Sequence, residues 1–406
     1  MGGGELRAVA EARTSAIEAR AAALRQELEA IAAPKDERPD PGETERETER
    51  ETERREEIRL ELRHLERQKT RAAATVTYAV VPQQPAPSHV LIRGNPALKG
   101  EVVAPGGLAA VKGLDADFGL PPDAPEAVRR VRLATWITDP RNPLTPRAIV
   151  NRVWHHHFGV GIVETPNDLG FNGGRPTHPE LLDWLACDLV ESGWSLKELH
   201  RAIVTSATYR QASVLRPEAA AVDAGGRLLW RKNPRRLEAE CVRDAILELA
   251  GDLNRAMGGP GYEDFLADFR RGTEFYDELD PVGDSFNRRT VYRTWARGGR
   301  NRLLDAFDCP DPSTTTPRRM VTTTPIQALV LRNNSFVLRM AERTARRLRR
   351  DVGEDPRRQM ERLYELAYGR RPDAEELSLT EDFVAGHGLA ALCRVIINTN
   401  EFLHVD

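Results

Sequence analysis

Cysteine is scarce in this 406-residue chain, and no two of its cysteines stand close together. They are Cys187, Cys241, Cys309 and Cys393, so the sequence contains no C-x-x-C pair. This spacing excludes a c-type haem attachment site and the common zinc ribbons. Three of them, Cys187, Cys241 and Cys393, stand in apolar helical contexts, which predicts buried free thiols. One disulfide is the alternative.

Long apolar stretches and a leader sequence are also missing. No run of about 18 apolar residues occurs, which excludes a membrane-spanning helix. The opening stretch MGGGELRAVAEARTS has no apolar core and so predicts no signal peptide in this chain. We expect either a cytoplasmic protein or a piece of a longer chain, and the localisation stays open.

Lysine is nearly absent, since only six of the 59 basic residues are lysines and the rest are arginines. This excess is typical of a GC-rich coding sequence, with anion recognition as the alternative. The net charge is −3, so no global field attracts nucleic acid or an anionic membrane. The arginine-rich, aromatic stretch 293–302 is a weak argument for a nucleic-acid partner, and we expect none.

Signature motifs of the common catalytic folds do not occur either. No G-x-S-x-G, P-loop or G-x-G-x-x-G stands between a predicted strand and a predicted helix. The sequence therefore favours no particular reaction, and we expect no cofactor within this chain.

Residues 1–74 predict an antiparallel helical hairpin of the coiled-coil type. The apolar residues of 5–32 step by four and three positions, which is a coiled-coil seam: Ile17, Ala21, Leu24, Leu28 and Ile31. The prolines of 34–42 end this helix, because their rings do not fit its interior. ETER then occurs three times over 43–54, before a second apolar stripe of Ile58, Leu62 and Leu65. Such a hairpin permits self-association.

Residues 75–115 predict a small β unit with a linker, built from the β-branched segments 75–81, 89–94 and 101–107. Residues 120–406 predict a mainly helical domain. Its helices are expected at 125–138, 146–158, 178–192, 196–208, 235–254, 325–349, 357–368, 374–385 and 388–399. Capping signals mark several starts, at Asp123, Thr177, Ser195 and Thr324.

One long stretch, 256–322, is rich in glycine, proline, aspartate and arginine, with short strand-like pieces such as 289–295. It predicts an irregular insert in the helical domain, and such a stretch is often functional. The expected fold class is therefore mainly α, with a helical hairpin, a small β unit and a large helical domain that carries this insert.

Several long blocks of the sequence together resemble one known family. They are NPLTPRAIVNRVWHHHFGVGIVETPNDLG (142–170), PTHPELLDWLA (176–186), GWSLKELHRAIVTSATYRQAS (193–213), RRLEAECVRDAILELAG (235–251), RTVYR (289–293), FDCPDPSTTTPRRMVTTTPIQALVLRNNSFV (307–337) and NTNEFLHVD (398–406). In this order and spacing they are similar to the planctomycete-specific domain catalogued as domain of unknown function 1553. The resemblance covers about residues 75–406.

The resemblance implies a setting rather than a reaction. Relatives are typically large exported proteins with a further domain upstream, often together with a c-type cytochrome domain. This chain differs, since it has neither an export signal nor a C-x-x-C-H motif. We expect a shortened gene or a fragment, with haem present only on a missing upstream domain. No catalytic residue carries over from the family.

Three adjacent histidines, 155–157, precede Gly159 in the first of these blocks. Successive helical residues rotate by about 100°, so the three cannot all bind one metal, and we expect no metal site. The run predicts a helix end, where imidazoles favour the helix dipole and glycine terminates the helix. Any chemistry here would combine His155 or His156 with Asn167 and Asp168. In that loop, Asx turns and a weak calcium site are the two interpretations.

A second candidate segment, 307–325, places Asp308, Arg318 and Arg319 before a helix N-terminus. Arginines beside free helix amides predict a carboxylate, sulfate or phosphate site. Alternatively, Asp–Arg pairs fix this loop to the helical core. The charged residues of 235–244 predict an ion network along one helix, with a carboxylate pair for general acid–base chemistry as the alternative.

Two functions from different classes remain. The favoured one is a non-enzymatic interaction or scaffold module of an exported system, with a c-type cytochrome as a possible partner, because no group of residues has the spacing of a known mechanism. The alternative is an enzyme or ligand-binding protein for an anionic or carbohydrate-like substrate. It would act through the 155–168 and 308–319 loops.

Overall fold

The computed structural model describes residues 3–32, 51, 52, 54, 55, 58, 59, 61–63, 65, 66, 69, 81, 83–270 and 272–405. The chain forms two compact units: a larger unit of Met1–Val76 and Arg236–Val405, and a smaller unit of Thr77–Arg235. The mainly α fold class is confirmed, since the described strands form only small two-stranded sheets. Within the described ranges, no helix combines the length and apolar composition that a membrane span requires.

The larger unit begins with α1 (Gly3–Ala32), and helical residues between 51 and 69 run back along it. The seam between the two arms is buried at Ala21, Leu24, Ile58 and Leu65. Ion pairs join the two arms across it. As the residue number in the first arm rises, that of its partner in the second arm falls: Glu18–Lys69, Arg25–Glu66 and Glu27–Arg54. This order makes the arms antiparallel, as predicted. The prolines of 34–42 and the ETER repeats of 43–50 lie outside the described residues.

The smaller unit opens with a short β-hairpin, in which β1 (His89–Leu91) pairs antiparallel with β2 (Lys99–Val102). The first strand lies within the predicted segment 89–94, and the second overlaps the predicted segment 101–107 only at residues 101 and 102. The remaining predicted segment, 75–81, lies outside the described residues except for residue 81. Helices follow: α2 (Glu126–Thr138), α3 (Leu144–Phe158), α4 (Pro179–Glu191), α5 (Leu196–Thr205) and α6 (Pro217–Val222). The core of this unit lies among α3, α4 and α5.

The remaining elements are β3 (Arg235–Arg236), α7 (Ala239–Ala250), β4 (Phe265–Arg270), β5 (Thr273–Glu278), α8 (Arg302–Ala306), α9 (Pro325–Asn333), α10 (Ser335–Val352), α11 (Pro356–Tyr368), α12 (Ala374–His387), α13 (Leu389–Ile397), α14 (Asn400–Leu403) and β6 (His404–Val405). Within the larger unit, α10 packs against α7, α11 and α13. It buries Met340, Ala345 and Leu348 on one face, as an amphipathic helix does at a core.

The capping signals that the sequence shows are confirmed at two helix starts, where the side chain accepts a hydrogen bond from the helix backbone. Thr324 accepts a hydrogen bond from the backbone of Gln327, whose side chain returns to Thr324, so this capping box is complete. Ser195 also caps its helix. The boxes predicted at Asp123 and Thr177 are wrong, because neither side chain caps a helix in the structure.

One predicted helix, 325–349, is two helices in the structure. Asn334 adopts an extended backbone conformation between α9 and α10. Its Oδ1 accepts hydrogen bonds from Phe336 N and Val337 N, so the same residue ends one helix and caps the next. The apolar periodicity continues across this break, which is why the sequence pattern does not reveal it.

The insert 256–322 is irregular as predicted, but it also contains an antiparallel hairpin of β4 and β5. The strand-like piece 289–295 forms a 3-10 turn at Thr290–Tyr292 instead of a strand. The strand interpretation of that piece is therefore wrong. A short helix, α8, lies within the insert, directly before the 307–325 loop.

All four cysteines are free. Cys393 is buried as predicted, whereas Cys187 and Cys241 are exposed, so the prediction of buried thiols is wrong for these two. Even a helix with an apolar composition turns one face outward, and composition does not say which residues lie on it.

We expect Leu331→Ala to lower the free energy of unfolding of the larger unit by about 2–5 kcal/mol, because it leaves a cavity in the core. Leu331 is fully buried on α9. The matched control is Leu329→Ala on the same helix, whose side chain is 54% exposed; it should cost less than about 1 kcal/mol. Urea denaturation followed by circular dichroism compares the two, and equal losses would contradict the burial of Leu331.

Candidate functional site

The NRVWHHHFGVG block forms the end of α3 and the loop after it, and its main role is structural. Asn151 is fully buried; its Nδ2 donates to Val163 O at 2.9 Å and its Oδ1 accepts from Val163 N at 2.8 Å. Gly161 passes so close that a Cβ there would lie 2.7 Å from Asn151 Oδ1. Trp154 stacks on Phe158 with ring centroids 4.1 Å apart. These contacts fix the loop to the helix.

The three histidines point to different surroundings, as helical geometry predicts. His155 is partly buried beside the exposed His156, with ring centroids 5.6 Å apart. His157 Nε2 instead lies 2.7 Å from Nδ1 of His200 on α5. Gly159 ends α3 with φ 81°, and its N–H donates to His155 O, so the predicted helix end is confirmed.

Asn167 and Asp168 lie exposed on the following loop, where local hydrogen bonds account for both side chains. Asp168 Oδ1 accepts from Gly170 N at 2.9 Å, which is an Asx turn. Asn167 Oδ1 accepts a hydrogen bond from Arg152 of α3 at 2.8 Å, so an arginine connects Asn167 to this helix. A joint site of these two residues with His155 or His156 stays a prediction. In the described part of the chain, no group of three or more His, Cys, Asp and Glu residues is arranged to hold a metal ion.

Beside His157 the smaller unit holds a group of cationic and aromatic side chains, called here the Lys232 cluster: His157, His200, Tyr209, Lys232 and Arg235. Lys232 is 6% exposed, and its ammonium lies 4.9 Å from the Tyr209 ring centroid and 6.0 Å from that of Phe158. Burial lowers the pKa of Lys232, and the charge of Arg235 lowers it further. Burial also lowers the pKa of His157, with His200, Arg235 and Lys232 adding to the effect.

In the larger unit, Asp308 and Arg319 fix the 307–325 loop to the helical core. Arg319 donates two hydrogen bonds to Glu240 on α7, at 2.5 and 2.9 Å. Asp308 has a left-handed φ of 61° and accepts from the backbone N–H and the hydroxyl of Thr322. The loop is fixed as one interpretation predicts, but Asp308 and Arg319 bond to Thr322 and Glu240 rather than to each other. An Asp–Arg pair of this loop joins Asp311 to Arg300, 3.6 Å apart. Arg318 lies exposed.

The ion pair with Arg319 favours the ionised form of the Glu240 carboxyl. Burial raises the pKa of its carboxyl, but the hydrogen bonds and charge of Arg319 outweigh burial, so the pKa lies below its usual value. Cys309 lies next to it, with Sγ 3.7 Å from Glu240 Oε1. Burial and then the charge of Glu240 raise the pKa of the Cys309 thiol to about 12. A thiol with such a pKa is a poor nucleophile at neutral pH.

The ion network predicted along 235–244 is confirmed only in part: Arg243 and Asp244 pair at 4.0 Å, whereas Glu238 and Glu240 pair with Arg319 of the insert. Arg236 donates to Thr322 O and to the Thr323 hydroxyl, both at 2.7 Å. Asp244 Oδ1 accepts from Thr290 N at 2.7 Å. Arg236 of β3 and Asp244 of α7 thus hold parts of the irregular insert in place.

The insert and α10 also enclose a cleft of about 560 Å³ within the larger unit. This volume falls in the range of small-molecule sites, about 300–1,000 Å³. The polar lining consists of Asp264, Asp277, Glu278, Asp280, Arg243, Arg302, Asn301, Asn334 and Ser335, and the aromatic lining of Tyr276 and Phe336. None of the residues that the sequence singled out as site candidates lines this cleft. The feature of the sequence that could have indicated this cleft is the acidic run after Tyr276.

A buried ion pair forms the inner wall of the cleft. Asp264 is 4% exposed and accepts from Arg293 Nε at 2.8 and 2.9 Å and from Asn301 Nδ2 at 2.9 Å. Arg293 also donates to Gly299 O at 2.9 Å and lies 4.6 Å from the Trp295 ring centroid. Because both charges are buried, neither tolerates the loss of the other.

The other carboxylates of the cleft differ in how firmly they are held. Asp280 forms two hydrogen bonds with Arg339, at 2.6 and 2.8 Å. Burial raises the pKa of Asp280, but Arg339 lowers it more, so it lies below its usual value. Glu278 accepts from Arg302 N at 2.8 Å. Asp277 is exposed, and its carboxylate has no partner among the described residues.

We expect Asp264→Leu to lower the free energy of unfolding by about 3–5 kcal/mol, because it leaves the Arg293 guanidinium buried without a counter-charge. The double variant Asp264→Leu/Arg293→Met should recover most of this loss, since it removes both charges. Denaturant unfolding of the single and double variants measures the difference. A double variant no more stable than the single one would contradict the assigned pairing.

We also expect the free energy of unfolding to fall as the pH drops below about 6.5, the ordinary pKa of histidine. Burial and cationic neighbours lower the pKa of His157, so the unfolded chain binds its proton more readily and acid favours unfolding. Urea midpoints between pH 7.5 and 5.5 should shift less in His157→Gln than in the wild type. His387→Gln, at an exposed histidine of the larger unit, is the control. An unchanged shift in His157→Gln would reject this role.

Comparison with known proteins yields one match. The profile of the family described as "PSD1: Protein of unknown function (DUF1553)" matches residues 129–384, which include the histidine block, the Lys232 cluster and the cleft. No curated protein and no solved structure matches the chain. Since the match covers more than half of the sequence and agrees with the resemblance of its blocks, the chain belongs to the PSD1 family of proteins of unknown function.

Proposed function

We propose that the larger unit binds a small hydroxyl-rich, carbohydrate-like ligand in the cleft between the insert and α10. One observation carries the proposal. A cavity of about 560 Å³ combines carboxylates, guanidinium groups, side-chain amides and two aromatic rings in one lining. Small-molecule sites in proteins have this size and a few placed polar groups.

The mixture of polar groups favours hydroxyls as the ligand's chemistry. A hydroxyl both donates and accepts, so it suits a wall where carboxylates accept and arginine and asparagine side chains donate. Arg293, Arg339 and Arg302 pair with Asp264, Asp280 and Glu278, so Asp277 is the lining carboxylate without an ion pair among the described residues, and its charge disfavours an anion beside it. Of the two ligand classes that the sequence leaves open, the carbohydrate-like class is therefore the better supported.

Most of the wall is held in place before a ligand arrives. Asp264 is fixed by Arg293 and Asn301, and Asp280 by Arg339, so these groups lose little freedom on binding. Asp277 is different, because it is exposed and has no side-chain partner among the described residues. Its carboxylate is the group we expect to accept the ligand's hydroxyl.

Binding is better supported than hydrolysis of a glycoside. A general acid for that reaction needs a carboxyl whose pKa is raised towards neutrality. Arg339 keeps the pKa of Asp280 below its usual value, which suits a fixed acceptor rather than an acid. The proposed function is therefore recognition of the ligand, with no catalytic step assigned.

An interaction module is the second candidate. A shallower groove of about 370 Å³ shares Arg302, Asn334 and Ser335 with the cleft. Its wall carries Ile326 and Leu329 of α9, which are 64% and 54% exposed. Exposed apolar side chains beside a groove support contact with another protein, and a c-type cytochrome partner stays a prediction.

Binding of the purified chain to an array of neutral and acidic oligosaccharides tests the ligand. We expect neutral or weakly charged oligosaccharides to be retained. Asp277→Ala should weaken their binding by about 10-fold or more, because a hydrogen bond to a charged group is worth about 1.5–3 kcal/mol. Asp382→Ala removes another exposed carboxylate of the larger unit, outside the cleft, and should leave binding unchanged.

Two outcomes would overturn the proposal. One is an array on which no oligosaccharide is retained by the wild-type chain. The other is equal affinity of the wild type and Asp277→Ala for a retained oligosaccharide, which would place the binding surface elsewhere.

A further inference from the structure

We propose that the Lys232 cluster of the smaller unit is a binding site for a small tetrahedral oxyanion, a phosphate or sulfate group. The site is independent of the cleft, because all of its residues belong to the smaller unit. Its members come from four parts of the sequence: His157 lies in the last turn of α3, His200 lies on α5, Tyr209 follows α5, and Lys232 and Arg235 lie at the end of the smaller unit.

Lys232 is the main argument for this site. Its side chain is more than nine-tenths buried, yet no carboxylate among the described residues pairs with its ammonium. The contacts of the ammonium are the ring faces of Tyr209 and Phe158, at 4.9 and 6.0 Å from the centroids. Buried lysines are normally paired, because an isolated ammonium loses its hydration without compensation. Cation–π contacts offset only part of that loss.

Arg235 adds positive charge to the same place. Its Nη1 donates to His156 O at the end of α3, which fixes the guanidinium beside the histidines. That carbonyl compensates part of the charge of Arg235 but none of that of Lys232. The two cations lie close enough for Arg235 to lower the pKa of both Lys232 and His157. The repulsion between them is relieved if an anion binds between them.

The histidine pair supplies further donors. His157 Nε2 and His200 Nδ1 share one hydrogen bond, which leaves the second ring nitrogen of each available. The groups around the site are therefore His156 and His157 from α3, His200 from α5, and Lys232 and Arg235. None of them is acidic. A bound anion stabilises the protonated form of a neighbouring imidazole. The ligand would therefore also offset the free-energy cost of charging His157.

A tetrahedral oxyanion fits these donors better than a metal cation or a planar carboxylate. The positive charges repel a metal ion. The cluster offers an ammonium, a guanidinium fork and two imidazoles as donors, and a phosphate or sulfate group has acceptor oxygens in several directions.

Isothermal titration of the full chain with inorganic phosphate and with sulfate tests the site, in a buffer of low ionic strength. We expect binding of either anion by the wild type and a loss of at least 10-fold in affinity in Lys232→Met. Lys197→Met, at an exposed lysine of α5 in the same unit, should bind like the wild type. Asp277→Ala should also bind phosphate normally, which separates this site from the cleft.

A second measurement does not depend on how the variant folds. Imidazole proton resonances of the wild type, assigned with His157→Asn and His200→Asn, are followed during titration with phosphate and, separately, with sodium chloride. Selective shifts of His157 and His200 with phosphate support the site. Absence of heat and of shifts with both oxyanions, shifts equal to those with chloride, or full affinity in a folded Lys232→Met chain would each overturn it.

Discussion

Arginine side chains supply the hydrogen-bond donors that the irregular backbone of the insert lacks. A segment outside helices and sheets leaves carbonyl groups without ladder partners, and burying them unpaired costs free energy. Arg288 donates to Pro260 O and Gly258 O, Arg243 to Phe286 O, and Arg293 to Gly299 O. A guanidinium with five N–H groups can serve several such acceptors at once, whereas an ammonium cannot match its planar fork.

The same arginines shape the cleft. Arg293 binds a backbone carbonyl of the insert and the Asp264 carboxylate together, so the wall of the site and the path of the chain depend on one side chain. Arg339 holds Asp280 from α10 in a similar way. The arginine excess of the sequence therefore has a structural use here, whatever its origin in the coding sequence. A ligand would bind carboxylates whose positions are already fixed by the ion pairs that stabilise the fold.

The buried charge of the Lys232 cluster in the smaller unit differs from the buried charges of the larger unit. In the larger unit Asp264 and Arg293 are both buried and satisfy each other, and Glu240 and Arg319 pair at the edge of the core. Lys232 is about as buried as Asp264 and Arg293, but the contacts of its ammonium are with aromatic rings. A buried ammonium without a carboxylate partner among the described residues, beside an arginine and two histidines, differs from these ion pairs, and unusual charges of this kind concentrate at binding sites.

By itself the sequence determined the features that depend on one element: the antiparallel hairpin from its apolar seam, the end of α3 at Gly159, and the capping box at Thr324. Periodicity and capping are local, so a single segment contains the information. Only the tertiary structure decided the candidate sites. Asp264 pairs with Arg293, 29 positions along an irregular segment, and Lys232 and His157, 75 positions apart, both lie against the Tyr209 ring. Such pairings follow the course of the chain through loops, and no helical or strand period encodes that course.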